Sequence, residues 1–267
     1  ARNVFSFSLR VLAPDFTDRV AGVFRAPRFR TTMPELTGLI PRTDNVPEWQ
    51  GDVAPDVPTR VRLPNGEMDV WHYPPSSQRN QTWFLLVHGF RGDHHGLSSF
   101  VDGLPEYDVV VPDLPGFGAS PAMAREHTVA NYAEILAQYL LSADLPVSLD
   151  VKNCVIVGHS FGSMVATKLS TLVPTKALIL INPIAQLPLS AGNKLMTKFS
   201  AFYYRAGALL PRPLGYRLLR SPLIVRFMTE FMVVSDEKSM RAFAHEQHRK
   251  YFSAFASRQT LNEAYRA

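Results

Sequence analysis

Cysteine and long apolar runs are the two features that this sequence of 267 residues has least of. The single cysteine, Cys154, excludes a disulfide framework and a metal site built from several thiolates. No apolar run approaches the roughly 20 residues that a membrane-spanning helix needs, so we expect no integral membrane segment. The chain begins Ala-Arg-Asn, without an initiator methionine or the apolar core of a signal peptide. We therefore expect a cytoplasmic protein whose N-terminus is processed or is that of a fragment.

The net charge of +5 is unevenly distributed along the chain. Residues 183–267 carry thirteen basic and five acidic side chains, whereas residues 51–182 are net acidic. Such a basic segment can bind nucleic acid or an anionic surface. Here, however, Lys and Arg stand singly among apolar residues, as on the solvated faces of amphipathic helices, and no base-reading motif accompanies them. We expect no nucleic-acid partner, and binding to an anionic surface is kept as an alternative.

An α/β fold is predicted by strands and helices that alternate between residues 59 and 182. Residues 59–63 and 68–73 are typical of two strands joined by a Pro-Asn-Gly-Glu turn. Four apolar runs then predict strands covered on both faces, and helix-like patterns over 97–104 and 129–140 lie between them. This order predicts a mostly parallel sheet with helices on both faces. The four runs are residues 82–87, 107–113, 154–157 and 176–182.

Three regions are predicted: an N-terminal extension (1–58) with a short helix over 16–24, the α/β core (59–182) and an all-helical cap or lid (183–267). We expect the aromatic side chains of the cap to line the inner faces of its helices. The predicted cap helices are 194–206, 214–234, 236–255 and 260–267, and the aromatic residues are Phe199, Phe202, Tyr203, Phe227, Phe231, Phe243, Tyr251, Phe252 and Phe255.

The strongest functional signal lies in residues 154–169. A buried strand leads into Gly158-His-Ser-Phe-Gly162, and apolar residues at helical spacing follow. The two glycines permit a turn in which neighbouring side chains would collide. A strand, a tight turn and a helix with Ser160 at the apex form the Gly-x-Ser-x-Gly nucleophile elbow. The alternative is a glycine-rich turn that happens to contain a serine.

A serine that attacks a carbonyl needs a base, an orienting acid and hydrogen-bond donors for the oxyanion. The loop over residues 88–92, His-Gly-Phe-Arg-Gly, follows the first covered strand. It leaves the sheet at the carboxyl edge, where ligands bind in parallel sheets. We therefore expect the backbone N–H groups of Phe90 and Phe161 to form the oxyanion hole. The alternative for this loop is an ordinary turn at a strand end.

Residues 88–92, 113–120 and 158–162, taken together, resemble the α/β-hydrolase superfamily, in its cap-bearing, esterase-like branch. The likeness covers residues 59–182 closely. It implies a hydrolase without a cofactor, which cleaves a carboxylic ester or related acyl bond through an acyl-serine at Ser160. The aromatic composition of the cap predicts a small acyl substrate that is apolar or aromatic.

The acid and the histidine of a catalytic triad are not found where the family places them, after the cap. We therefore expect a chain truncated before both, so that the triad is completed beyond residue 267. One alternative pairs Asp236 with His245 or His248, but only nine or twelve residues separate them, too few for the usual helix and strand. A second alternative is a catalytically incomplete binding protein that lacks both acid and base.

Two other groups of side chains invite functional interpretations. Asp93, His94 and His95 suggest a metal cluster, but adjacent histidines rarely converge on one ion and the usual ligand spacing is absent, so we expect no metal site. His159 adjoins the serine and is interpreted as structural. Asp113 is expected to hold the loop over residues 113–120 by hydrogen bonds.

Overall fold

The fold is described from a computed structural model of the chain. The predicted helix over residues 16–24 lies outside the residues that the structure describes. All of the described residues belong to one compact unit. The described residues are 10–12, 57–75, 80–146, 149–184, 194–233 and 238–267.

A seven-stranded sheet forms the centre of the protein, in the order β1-β7-β6-β4-β5-β3-β2. The four middle strands are parallel, and β3 pairs antiparallel with both β5 and β2. Five of the seven strands therefore run in one direction, which confirms the prediction of a mostly parallel sheet. The strands are β1 (Arg10–Leu12), β2 (Thr59–Leu63), β3 (Gly66–Tyr73), β4 (Trp83–Val87), β5 (Asp108–Pro112), β6 (Cys154–His159) and β7 (Ala177–Ile181).

The first strand was not predicted. It comes from the N-terminal extension and pairs antiparallel with β7, with Val11 opposite Ile179. A three-residue strand is too short to show a period of two in the sequence, so this long-range pairing left no local signal.

Alternating side chains of β6 pack on opposite faces of the sheet. Cys154 and Ile156 belong to a large core shared with helices α2 and α3 (bounds below), whereas Val155 and Val157 face a smaller core with α1. Both faces of this strand are thus buried, as its continuous apolar run predicts. The sheet therefore has helices on both faces, as expected.

Eight α-helices accompany the sheet in the described ranges, and none of them is long and apolar enough to cross a lipid bilayer. The predicted helix over 214–234 is two helices, because Pro222 cannot donate the backbone hydrogen bond that a continuous helix requires. The helices are α1 (Ser98–Asp102), α2 (Val129–Leu140), α3 (Phe161–Leu169), α4 (Lys194–Leu209), α5 (Arg212–Leu219), α6 (Pro222–Met232), α7 (Lys238–Tyr251) and α8 (Arg258–Arg266).

The predicted burial of the aromatic residues in these last helices is only partly correct. Tyr203 and Phe255 join the large core beneath the sheet. Phe199, Phe202 and Phe227 are instead exposed to solvent, which contradicts their predicted place on the inner faces. The reason is local: Phe199, Phe202 and Tyr203 recur at intervals of three and four and so share one broad apolar stripe of α4. The periodicity does not indicate which edge of that stripe faces inward.

Candidate active site

Ser160 lies between the end of β6 and the start of α3, with φ 52° and ψ −119°. Non-glycine residues seldom adopt this region of backbone space. The backbone N–H of Ser160 donates to the carbonyl oxygen of Ile181 in β7 at 3.0 Å. Its carbonyl oxygen accepts from Ser163 N–H at 2.9 Å and from Ser163 Oγ at 2.5 Å. The neighbouring strand and the first helical turn thus hold a strained serine, whose Oγ has no hydrogen-bond partner among the described residues.

The two glycines of the elbow are required by the close approach of other backbone. A Cβ atom on Gly158 would lie 2.5 Å from the carbonyl oxygen of Gly162 and 2.7 Å from the Cβ of Ala166. A Cβ atom on Gly162 would overlap the carbonyl oxygen of Val87, the last residue of β4. All three distances are shorter than a side chain tolerates. The elbow therefore packs tightly against β4, the strand that leads into the candidate oxyanion loop.

The candidate oxyanion loop, residues 88–92, lies beside Ser160. A Cβ atom on Gly89 would stand 3.3 Å from the Cβ of Ser160. His88 is buried, and its Nδ1 donates to the carbonyl oxygen of Gly89 at 2.8 Å while its Nε2 accepts from the N–H of Leu114 at 2.8 Å. The same carbonyl oxygen also accepts from the N–H of Gly92 at 3.0 Å. The loop is therefore held both by bonds within it and by a bond from the segment that follows β5.

These bonds determine the direction of the two candidate oxyanion donors. The carbonyl of Gly89 and the N–H of Phe90 belong to one planar peptide group, so holding the carbonyl sets the direction of the N–H. The carbonyl of Ser160, held by Ser163, similarly shares its peptide group with the N–H of Phe161. Phe161 opens α3, where helical N–H groups lack intrahelical acceptors.

Burial favours the neutral form of the His88 imidazole. It lowers the pKa of His88, although the nearby carboxylate of Asp113 acts in the opposite direction. Burial also lowers the pKa of His159, and the neighbouring His88 adds to the effect. A neutral His88 has one donor and one acceptor nitrogen, which matches its two observed bonds, so both ring nitrogens are occupied by backbone groups.

Aromatic rings surround Phe90, which is half-buried. Its ring centroid lies 5.3 Å from that of Tyr204 and 6.2 Å from that of Phe161, both in edge-to-face geometry. Phe117 and Tyr265 lie at 6.0 and 6.1 Å. The surroundings of the candidate oxyanion loop are therefore largely apolar.

Arg91 connects the same loop to the helical segment that follows β7. It is 1% exposed and has φ 60°. Its Nε donates to the carbonyl oxygen of Phe252 at 2.9 Å and its Nη2 to that of Leu219 at 2.9 Å. Its guanidinium also lies 4.5 Å from the centre of the Phe252 ring. No local pattern predicts these contacts of Arg91, because its partners lie more than a hundred positions away.

Asp113 holds its loop as predicted. Its Oδ2 accepts from the N–H of Ala119 at 3.0 Å, and its Oδ1 accepts from the backbone N–H and the Nδ1 of His94 at 2.7 and 2.9 Å. Burial by itself would raise the pKa of Asp113, but the hydrogen bonds and charge of His94 outweigh it, so the pKa lies below its ordinary value. Asp113 is thus a carboxylate that organises two loops.

The structure brings Asp93, His94 and His95 together, with one ligand atom of each within 4.8 Å of the others. The rings of His94 and His95 lie 3.9 Å apart at 37°, between Trp71 at 3.7 Å and Tyr251 at 3.9 Å. Stacked rings direct their nitrogen lone pairs side by side rather than toward one point. The observed arrangement is a row of four aromatic rings, and the absence of a metal site stays a prediction.

None of the eight histidines, all of which lie in the described ranges, forms a hydrogen bond with Ser160. In the alternative triad, His245 pairs with Glu230 at 2.8 Å, and Asp236 lies outside the described residues. The Nδ1 of His248 lies within hydrogen-bond distance of the Oγ1 of Thr229, at 2.9 Å. Burial lowers the pKa of His248, and the nearby charges of His245, Arg91 and His159 lower it further.

A cavity of about 480 Å³ lies elsewhere, where α8 packs on residues 122–127. At this cavity, the Nδ1 of His127 donates to the carboxylate of Glu263 at 2.8 Å. Ser160 is not among the residues that line the cavity. This pair joins residues 136 positions apart and was not predicted.

Comparison with known proteins agrees with this geometry. The sequence pattern of the alpha/beta hydrolase family matches residues 84–266. Lipase LipV of Mycobacterium tuberculosis is 32% identical over 123 residues, which are 45% of this chain and 43% of the lipase. Epoxide hydrolase 4 of Mus musculus is 27% identical over 181 residues, 64% of this chain and 44% of that protein. The chain thus spans less than half the length of these two relatives.

The solved structure of an esterase, EaEST from Exiguobacterium antarcticum, resembles this fold with a TM-score of 0.55. The likeness covers 78% of this chain and 72% of the esterase, at 15% sequence identity. The family pattern extends over well more than half of the chain, including the elbow and the loop after β4. The chain therefore belongs to the alpha/beta hydrolase family.

Proposed function

We propose that this protein is a serine hydrolase that cleaves a carboxylic ester or a related acyl bond, with Ser160 as its nucleophile. The observation that carries the proposal is the backbone of Ser160, a non-glycine residue with φ 52° between a buried strand and a helix. Strain of this kind is retained at functional sites where the surroundings enforce it. Membership of the alpha/beta hydrolase family and similarity to a protein named as a lipase add support.

In the proposed reaction, Ser160 Oγ attacks the carbonyl carbon and loses its proton to a base. The tetrahedral oxyanion accepts hydrogen bonds from the N–H groups of Phe90 and Phe161. The bond to the leaving group then breaks, the leaving group takes up a proton, and an acyl-serine remains. Water attacks this acyl group, which releases the acid and restores the serine. The fixed peptide groups of Gly89 and Ser160 support the roles given to the two donors.

The rings around Phe90 favour an apolar or aromatic acyl group, since such walls bind apolar ligands. The proposed substrate is a small acyl compound, and no cofactor takes part. A panel of p-nitrophenyl esters, from acetate to octanoate and benzoate, tests this with the full-length protein. We expect kcat/KM to rise from acetate to the larger apolar esters. An unchanged kcat/KM in Ser160→Ala would refute the nucleophile.

A second candidate function is that of a catalytically incomplete binding protein. It is favoured by one observation, that none of the eight described histidines forms a hydrogen bond with Ser160 Oγ. Such a protein would bind the same apolar esters without hydrolysing them. Full-length protein that binds an ester in calorimetry yet releases no p-nitrophenol would support this function over the first.

A further inference from the structure

Helices α4, α5 and α6 present large apolar side chains to solvent. Leu223 is 79% exposed, Leu209 75%, Phe202 71% and Leu214 53%. Single exposed leucines are ordinary on protein surfaces, but a group of them on adjacent helices is typical of an interaction site. The opposite sides of these helices are already occupied, since Tyr203, for example, is buried in the large core.

Basic residues lie between these apolar ones. Residues 194–233 contain seven Lys and Arg residues and a single acidic residue, Glu230. On α4, Lys198, Phe202, Arg205 and Leu209 recur at intervals of three and four, which places them along one exposed face.

A similar pattern occurs on α6, where Leu223 and Arg226 are three residues apart and both exposed. Neither Arg205 nor Arg226 forms an ion pair with a described carboxylate. Within the described ranges, neither charge is therefore neutralised by a carboxylate.

A contact between two aromatic rings joins α4 and α6. The rings of Phe199 on α4 and Phe227 on α6 meet edge to face, with centroids 5.8 Å apart. The exposed residues on both sides of this contact are called the basic apolar face: Phe199, Phe202, Arg205, Leu209, Leu223 and Arg226.

We propose that the basic apolar face docks on the surface of an anionic lipid bilayer. Arginine and lysine complement the negative charge of acidic headgroups, while leucine and phenylalanine enter the boundary between headgroups and acyl chains. Nucleic acid would use the cations but gives exposed leucines no partner, because phosphate contacts and base stacking do not bury aliphatic side chains. The docking does not depend on the chemistry at Ser160.

Co-sedimentation of the full-length protein with vesicles tests the proposal. We expect binding to vesicles that contain phosphatidylglycerol, and binding to pure phosphatidylcholine that is weaker by about fivefold for each charge engaged. The double variant Phe202→Ser/Leu209→Ser and the single variant Arg205→Glu are each expected to lose binding on the order of tenfold. Leu141→Ser is the matched control, because Leu141 is 66% exposed at the end of α2, outside this face. This substitution should leave vesicle binding unchanged.

The variant Leu209→Trp provides an independent readout through its introduced indole. We expect its emission to shift to shorter wavelength with anionic vesicles and to be quenched by brominated acyl chains. Absence of vesicle binding, or binding that is equal in the Phe202→Ser/Leu209→Ser variant and the wild type, would overturn the proposal. A second result would also overturn it: tight binding to single-stranded DNA that is abolished in Arg205→Glu and intact in Phe202→Ser/Leu209→Ser. That result would show that the face binds a polyanion through its charge alone. Ester hydrolysis is not part of any of these measurements, so their outcome is separate from that of the proposed function.

Discussion

The guanidinium of Arg91 donates a hydrogen bond to the carbonyl oxygen of Leu219, 128 residues later in the chain, at 2.9 Å. Leu219 is the last residue of α5, and Arg91 directly follows Phe90, a proposed oxyanion donor. Carbonyl oxygens, a tyrosine hydroxyl and aromatic rings are the described partners of this buried cation. The helical segment and the candidate oxyanion loop therefore share one buried junction.

Arg91→Met is expected to destabilise the protein by about 2–4 kcal/mol, because the carbonyl oxygen of Phe252 loses its donor and that of Leu219 keeps only the hydroxyl of Tyr203. Arg91→Lys should be intermediate, since one ammonium group cannot match the planar fork of a guanidinium. Urea unfolding of the full-length protein measures both. Arg62→Met is the control: its side chain is 81% exposed, and its ion pair with Glu67 should contribute little. Equal free energies of unfolding for Arg91→Met and Arg62→Met would show that the buried junction does not contribute to stability.

Gly162→Ala is expected to disrupt the elbow, because the new Cβ would overlap the carbonyl oxygen of Val87. We expect a loss of about 3 kcal/mol or more, comparable to the largest effects of overpacking. Gly96→Ala is the matched control, since no atom lies within 4 Å of the Cβ position there. Thermal unfolding compares the two variants, and equal melting temperatures would contradict the packing described for the elbow.

The elbow could be predicted from sequence because its determinants are local. The apolar run of β6, the two glycines around Ser160 and the apolar spacing of α3 lie within sixteen consecutive residues. The hairpin of β2 and β3 is likewise encoded by two adjacent strands and their turn. Local patterns thus predicted most of the sheet and the candidate nucleophile.

Contacts between distant residues could not be predicted in the same way. Arg91 with Phe252, His127 with Glu263, and β1 with β7 each join segments more than a hundred residues apart, so no spacing indicates them. The exposure of Phe202 was also missed, because hydrophobicity alone does not distinguish a side chain that faces the core from one that faces solvent.

Ser163 is expected to act as a positioning residue. Its Oγ donates to the carbonyl oxygen of Ser160 at 2.5 Å and thereby helps to orient the N–H of Phe161. Ser163→Ala should lower kcat for ester hydrolysis by about tenfold with KM nearly unchanged, as loss of a transition-state interaction does. Ser163→Thr, which retains the hydroxyl, should recover most of kcat. A rise in KM with unchanged kcat would show that Ser163 affects substrate binding instead.

Stability is expected to fall as the pH drops below about 6.5, the ordinary pKa of histidine. Burial lowers the pKa of His88, so at mildly acidic pH the unfolded chain binds a proton that the folded protein does not. The contribution of His88 is therefore fully present above the unfolded pKa and lost as the pH falls toward the folded pKa. Urea unfolding of wild type and His88→Gln between pH 5 and 8 should show a shallower slope in the variant. If the stability of wild type and variant changed equally with pH, the pKa of His88 would be the same in the folded and unfolded states.

Covalent modification of Ser160 tests the central claim most directly. The full-length protein is incubated with a fluorophosphonate probe, digested and analysed by peptide mass spectrometry, with Ser160→Ala treated in parallel. We predict a single adduct on the peptide that contains Ser160, absent from the variant and suppressed when a substrate ester competes. A protein that stays unmodified, or an adduct that persists in Ser160→Ala, would contradict the assignment of Ser160 as the nucleophile.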